Sequence, residues 1–282
     1  MIHLQSGSLS CDLEPRLGGC IAGLWCGGVP VLRPPPAAGL SSARDAACYP
    51  MVPLANRLAH ASLQWQGTLY PLVRNEGTEA HAVHGIGWHR PWELLDSDEG
   101  FAMLSYEHRP DAFWPFAFDC SQTIRLRDAA LELTLSLTNQ SSASAPAGLG
   151  WHPVFAKRAG ARLAFAATGR WERAADAQPS HRVPSPGVDA ACASMALDHC
   201  FDGWDGVARL RDPVLAIKLS ANLSRLVVFT RPGSDSLAVE PVSHVHDAVA
   251  LVAAGAEPAP LGLVTLAPGE SMSARMTLEV QT

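Results

Sequence analysis

The chain has 282 residues, 48% of them hydrophobic and 17% charged, with a formal net charge of -6. This is the make-up of a soluble globular protein with a large core, and its scattered basic residues form no cluster of the kind a nucleic-acid surface needs. No apolar run approaches the roughly 20 residues of a membrane helix, and the opening MIHLQSGSLSCDLEP has neither the basic nor the apolar region of a signal peptide, so a cytoplasmic location is expected.

Seven cysteines, irregularly spaced and without a CxxC pair, read as reduced thiols rather than a disulfide framework. The length suits two average domains or one large β unit. Helical periodicity is nearly absent, and 23 glycines and 22 prolines punctuate the chain at short intervals. A first strand is expected at 19–26. RPPPAAGLSSARDAACYP (33–50) reads as a loop, and AHAVHG follows, where Ala80 and Ala82 lead to His84 before Gly85. After a strand at 101–108, FDCSQTIRLRDAALELTLSL reads as two strands joined at Arg127-Asp128, with Leu131, Leu133, Leu135 and Leu137 on one face.

GLGWHPVF (148–155) is unusual. In an extended chain Gly148, Gly150 and His152 share one face and Leu149 and Trp151 the other. Glycine inside a strand often marks the close approach of a ligand or of another backbone. A strand at 162–166 precedes RAADAQPSHRVPSPGVDAA (173–191), which has no period and reads as a loop over a sheet face. Strands at 214–220 and 225–230 lead to SDSLAVEPVSH, where the small residues Ser236 and Ala238 precede Glu240 on one face. SMSARMTLEV closes the chain with a second alternating strand. Many short strands with Gly/Pro turns imply a large all-β sandwich.

Taken singly, His84, His152 and Glu240 read as packed or surface residues; together they mark ionisable groups at the ends of faces cleared of bulk. Glu240, His244 and His246 are a rival zinc or iron set, but Asp247-Ala248 signals a turn there and no metal is expected. Eight tryptophans offer apolar faces, with Trp88 and Trp92 closely following His84.

These segments together resemble the aldose 1-epimerase (galactose mutarotase) family, in a bacterial branch of it. CYPMVPLANRLAH is similar to the family's aromatic-Pro…Asn-Arg segment, AVHGIGW to its His-Gly segment, and GLGWHPVF to its Gly…His-Pro-Tyr-Phe signature, with Val154 where Tyr is usual. ALDHCF resembles the Asp-His segment, VEPVSHVHDAV the Glu…Asp-Ala segment and LAPGES the closing turn. The resemblance implies an all-β fold, a large antiparallel β-sandwich of the galactose mutarotase-like supersandwich type with few short helices, forming a single domain over residues 1–282.

It also implies interconversion of the α- and β-anomers of a free aldose such as galactose or glucose, by acid/base ring opening and reclosure without a cofactor. His152 would be the general acid, Glu240 the general base and His84 an assistant at the reacting end. Asn56, Arg57 and either Asp198 or Asp202 would hold hydroxyls, because the 198–205 spacing aligns either way. From the residues themselves, Trp88 or Trp92 is the candidate platform for stacking on a sugar. The acid and base are expected to face each other across a sugar-sized gap. Alternatives on the same fold are a hexose 6-phosphate mutarotase, for which Arg57, Arg74 and Arg90 are available cations, and a non-catalytic sugar-binding or sensor protein. The expected partner is a small sugar, with neither nucleic acid nor membrane, and the expected state a monomer or weak homodimer.

Overall fold

The computed structural model describes residues 1–77, 79–174 and 179–282. Its strands pair antiparallel throughout the two large sheets. One sheet has nine strands and runs from Glu93–Asp98 through Phe101–His108, Phe118–Arg127, Ala130–Asn139, Ser271–Gln281, Ala216–Ala221, Val207–Arg211 and Arg162–Ala166 to Gly187–Ala191. The other has eight: Pro179–Pro184, Gly169–Arg173, Leu197–Asp202, Arg225–Thr230, Ser236–Val242, Gly150–Trp151 and Pro50–Met51 in order, with Val154–Ala156 joining Ser236–Val242 from the side. A four-stranded sheet over Ile2–Ser6, Leu9–Glu14, Cys20–Cys26 and Val29–Pro30 covers a further part of the core.

Alternation explains the central strands. In Ala130–Asn139 every second residue is buried, beginning with Leu131, and Phe118–Arg127 opposite it follows the same rule. The turn between them falls at Asp128-Ala129, and Asp128 adopts a φ of 46°. Inner faces of the two large sheets meet where Phe155 and Val239 pack near Leu163, Leu210, Ile217 and Leu219, and where Phe165 meets Phe201 edge-on. Inside this apolar layer, Trp151 Nε1 donates to Gln122 Oε1 at 2.9 Å and Gln122 Nε2 donates to the Gly19 carbonyl at 2.9 Å. A satisfied polar chain thus ties all three sheets together without an orphaned group.

The strands expected at 101–108, 162–166 and 225–230 form at those positions; those at 19–26 and 214–220 form at Cys20–Cys26 and Ala216–Ala221. One expectation is overturned. The 173–191 stretch is not a loop: it contains the strands Pro179–Pro184 and Gly187–Ala191, and of its residues 175–178 lie outside the described ones. Both strands are sheet edges with mostly exposed or half-exposed residues, so neither face needs to be apolar and no period of two is written. Prolines at the ends of an edge strand cost no ladder hydrogen bond. The 33–50 stretch is irregular, with a short 3-10 turn at Ala43–Asp45 and a strand beginning at Pro50. All cysteines are buried free thiols. Among the described residues, no helix is long and apolar enough to cross a membrane.

Candidate active site

The floor of the site is written in the register of the eight-stranded sheet. Residues directly opposite in an antiparallel pair put their side chains on the same face. Asp198 lies opposite Phe229, Phe229 opposite Ala238 and Ala238 opposite Val154, which makes one rung across four strands. Glu240 lies opposite Val227 on the next rung. These residues line one cleft of about 240 Å³, just below the roughly 300 to 1,000 Å³ of common small-molecule sites. The size suits one sugar ring better than a nucleotide cofactor.

Two irregular segments build the wall. Arg57–Leu58 pairs with Ala82–Val83, and this brings Asn56 and Arg57 beside His84. Asn56 and His84 both adopt left-handed backbone, with φ of 60° and 59°, a conformation uncommon outside glycine that clusters at functional sites. They hold each other: His84 N–H donates to the Asn56 carbonyl at 2.8 Å and Asn56 N–H donates to His84 Nδ1 at 3.2 Å. His84 Nδ1 is therefore an acceptor, and its ring proton sits on Nε2. Burial, reinforced by the charges of His152 and Arg57, holds His84 well below the usual histidine range, so this neutral tautomer is the form present. Gly85 has no alternative, since its φ is 67° and a Cβ would fall 2.1 Å from the Val52 carbonyl oxygen.

At the centre, His152 Nε2 lies 3.3 Å from Glu240 Oε1. The Tyr49 carbonyl accepts the His152 N–H at 3.0 Å, and the Tyr49 ring stacks on the imidazole with centroids 4.7 Å apart. Burial lifts the Glu240 carboxyl to about 8, against the opposing pull of the Arg57 guanidinium. Burial also depresses the His152 imidazole to about 4. A buried neutral pair is favoured over a buried ion pair because desolvation penalises charge. Glu240 Oε2 and Arg57 Nε have no hydrogen-bond partner among the described residues, although Arg57 lies 3.6 Å from Glu79. Such orphaned groups in a cleft suit a polyhydroxylated ligand.

Of the residues picked out in the sequence, His84, His152, Glu240, Asn56, Arg57 and Asp198 all line this cleft. Trp88 lines it too, but its indole packs on Tyr49 at 5.0 Å and on His89 at 3.9 Å, and its Nε1 donates to the Val83 carbonyl. Asp202 is elsewhere: at the far end of its strand it accepts hydrogen bonds from Arg182 and Trp171. Asp198, on the cleft, pairs with Arg173.

Two spatial expectations need correction. His152 and Glu240 touch rather than face each other across a gap, because both project from adjoining parts of one sheet. The space beside Gly148 and Gly150 is not left for a sugar. A Cβ on Gly148 would fall 2.1 Å from the His244 ring, and one on Gly150 would fall 2.8 Å from the Pro241 carbonyl oxygen. Ser236 and Ala238 do line the cleft.

The 240–246 set does not converge: His244 Nε2 accepts the Ala55 N–H at 3.0 Å and its Nδ1 meets the Val245 carbonyl at 2.7 Å. Among the described residues no group of His, Cys, Asp or Glu is arranged to hold a metal ion. Sequence reasoning missed Arg33, Arg44 and Glu76, which line the cleft from irregular segments without a readable period. It also gave Tyr49 no role, although the aromatic-Pro pair at 49–50 was in view.

The family model for aldose 1-epimerase matches residues 1–279. The uncharacterized protein YphB of Escherichia coli K12 is 31% identical over 99% of this chain and 98% of its own length. The crystal structure of a candidate aldose 1-epimerase from Escherichia coli K12 superposes with a TM-score of 0.88 at 31% identity, covering 99% of this chain and 98% of that one. A galactose mutarotase-like protein from Clostridium acetobutylicum shares the fold, with a TM-score of 0.86 at 18% identity over 99% and 94% of the two chains. With residues 1–279 matched by the family model and a relative 31% identical over 99% of its length, the chain belongs to the aldose 1-epimerase family.

Proposed function

We propose that the protein interconverts the anomers of a free aldose, with His152 and Glu240 as its acid–base pair. The observation that carries this reading is the 3.3 Å contact between His152 Nε2 and Glu240 Oε1 on the cleft floor. In a cyclic aldose the anomeric hydroxyl O1 and the ring oxygen O5 are bonded to the same carbon. An acid and a base serving them must therefore stand side by side, which the contact provides and a gap across the ring would not.

The proton count fits as well. Ring opening takes the O1 proton, breaks the C1–O5 bond and delivers one proton to O5. After rotation about C1–C2, closure from the other face returns both. A pair that shares one proton can give one and take one in each direction. In the resting pair the proton is on Glu240. For the roles the family resemblance implies, it first passes across the 3.3 Å contact to His152, which the Arg57 charge beside Glu240 favours, and the imidazole then gives to O5 while the carboxylate takes from O1. His84 Nε2–H is available as a fixed donor to a sugar oxygen. Arg57 and Asp198, both on the cleft, are the groups this reading assigns to the hydroxyls, and Asn56 holds His84 in the wall beside them. Each positioned acid or base contributes about 10²- to 10⁴-fold.

The test is NMR exchange spectroscopy or polarimetry on fresh α-galactose and α-glucose. Glu240→Gln and His152→Asn are each expected to lower the rate at least about 100-fold with an unchanged circular dichroism spectrum. Wild-type rates in both variants would remove the pair from the mechanism.

A second reading, a sugar phosphate as substrate, is favoured by Arg33. Arg33 lines the cleft, and its guanidinium meets no carboxylate within 4.0 Å among the described residues. Of the cations offered by the sequence, Arg57 lines it, but Arg74 and Arg90 do not, and Arg90 is paired with Asp111. Glucose 6-phosphate in the same assay, with and without Arg33→Ala, separates the two substrates.

A further inference from the structure

We propose that Tyr49 is a positioning residue whose ring face stabilises His152 in its cationic form, and so governs how readily that imidazole takes up and returns a proton. The inference rests on the reading of His152 as a proton-transfer group.

The two rings are nearly parallel, with an interplanar angle of 16° and centroids 4.7 Å apart. A cation within about 6 Å of an aromatic face is attracted by the ring quadrupole, most strongly where water is excluded. Tyr49 is held against the imidazole from two sides. Its own carbonyl receives the His152 N–H at 3.0 Å, and its ring also lies against Trp88 with centroids 5.0 Å apart at 19°. Trp88 is in turn pinned through Nε1 to the Val83 carbonyl at 3.0 Å. The result is an ordered stack of Trp88, Tyr49 and His152, with the His84 ring edge-on to the imidazole at 5.2 Å.

The other groups that face His152 do not supply this stabilisation. Among the described residues Glu240 is the carboxylate in contact with it, and burial favours its neutral form. Arg33 and Arg44, from the 33–49 segment, oppose a second positive charge. His84 is neutral, and burial keeps the neighbouring Cys48 thiol protonated. Burial and the nearby Glu240 carboxyl also hold the Tyr49 phenol well above its usual range, so Tyr49 acts as a neutral ring and not as an anion. A backbone group of His152 itself also favours the cation; of the neighbouring side chains, the aromatic face is the one whose attraction for the cation survives when Glu240 is uncharged.

The test replaces Tyr49 in the full-length protein with phenylalanine and then with mono-, di- and trifluorinated phenylalanines. Fluorine withdraws charge from the ring face while changing its shape little, so each variant is expected to keep the wild-type fold, checked by its unfolding curve. The His152 imidazole is followed by NMR from pH 7 down through pH 4 to the lowest pH at which the unfolding curve still shows the folded protein, its fractional protonation giving the midpoint, alongside the anomer exchange rate. Tyr49→Phe is expected to stay within about threefold of wild type. Along the fluorinated series the His152 midpoint should fall stepwise by a total of about 0.4 to 1.5 pH units, and the rate by about 2- to 30-fold.

A midpoint that stays flat across the series overturns the inference, whatever the rate does. That result would leave the role of His152 standing, because His152→Asn tests it separately. A midpoint that falls stepwise supports the stack even if the acid–base assignment fails its own test.

Discussion

Between about pH 4 and about 8, burial leaves Glu240 with its proton and His152 without one, so the pair carries a single exchangeable proton through the neutral range. Above about 8 that proton is lost and no acid remains. Below about 4 a second proton is bound and no base remains. The anomer exchange rate is therefore expected to be a broad plateau, falling tenfold per pH unit beyond each limb. A rate that climbs steadily through pH 9 would mean that the pair is not the proton carrier.

The two aspartates of the 197–202 strand make a second test at this scale. Asp198 lines the cleft and stays a third exposed beside its partner Arg173, whereas the Asp202 carboxylate lies away from the cleft, committed to Arg182 and Trp171. Asp198→Asn should raise KM about tenfold or more, through loss of a charge-assisted hydrogen bond to the sugar worth roughly 1.5 to 3 kcal/mol. Asp202→Asn should leave KM alone and lower the unfolding free energy by about 1 to 3 kcal/mol. The reverse pattern would exchange their roles.

The strand ending in His152 lies against the turn that carries His244, and Gly148 is where they meet. A Cβ there would fall 2.1 Å from His244 Cδ2 and 2.5 Å from its Nε2. His244 cannot yield easily, because both ring nitrogens are engaged and its side chain is buried. Gly148→Ala is thus expected to cost about 1 to 3 kcal/mol of stability, the range for overpacking a tight interior, with KM of the folded fraction unchanged. A variant of wild-type stability but raised KM would show that the space belongs to the ligand after all.

This glycine also shows where sequence reasoning stops. Period two along a strand tells which residues share a face: it places Leu131 to Leu137 in the core and Ser236, Ala238 and Glu240 on the cleft. It does not tell what lies over that face, because the covering element comes from a distant part of the chain. Edge strands such as Pro179–Pro184, exposed on both sides, write no pattern. Nor do Arg33 and Arg44, which reach the cleft from an irregular segment shaped by turns and carbonyl contacts. What was legible, through the family resemblance, was which residues line the cleft: His84, His152, Glu240, Asn56, Arg57 and Asp198; the contact between His152 and Glu240 and the stack behind His152 needed coordinates.

For the molecule as a whole, the buried site makes stability a function of pH. His84, His152, His244 and His246 are all held below the ordinary histidine value of 6.5 by burial. In the unfolded chain they take up protons as the pH falls below 6.5, while the folded chain resists. Their contribution is thus present above 6.5 and is lost as the pH falls through their folded values, each by up to about 1.4 kcal/mol per pH unit. Glu240 works in the opposite sense. Its folded value of about 8 exceeds the ordinary 4.5, so the folded state holds a proton that the unfolded state has released between those two values. The stability it supports is lost as the pH rises through that window.

Below 6.5 four histidines outweigh one glutamate, and stability rises with pH. At pH 6.5 the unfolded histidines are still half protonated, so the two slopes cancel only near pH 7, and above it the glutamate sets the sign. A maximum near pH 7 follows, with a decline of less than about 1 kcal/mol by pH 8. Denaturant unfolding at half-unit steps from pH 5 to 8.5 measures it. Glu240→Gln should flatten the alkaline side and leave the acid side steep, and the variant should be more stable than wild type at pH 8. An alkaline slope that persists unchanged in Glu240→Gln would mean that the carboxyl is already ionised in the folded protein, and the single-proton pair on which the catalytic reading depends would not exist at neutral pH.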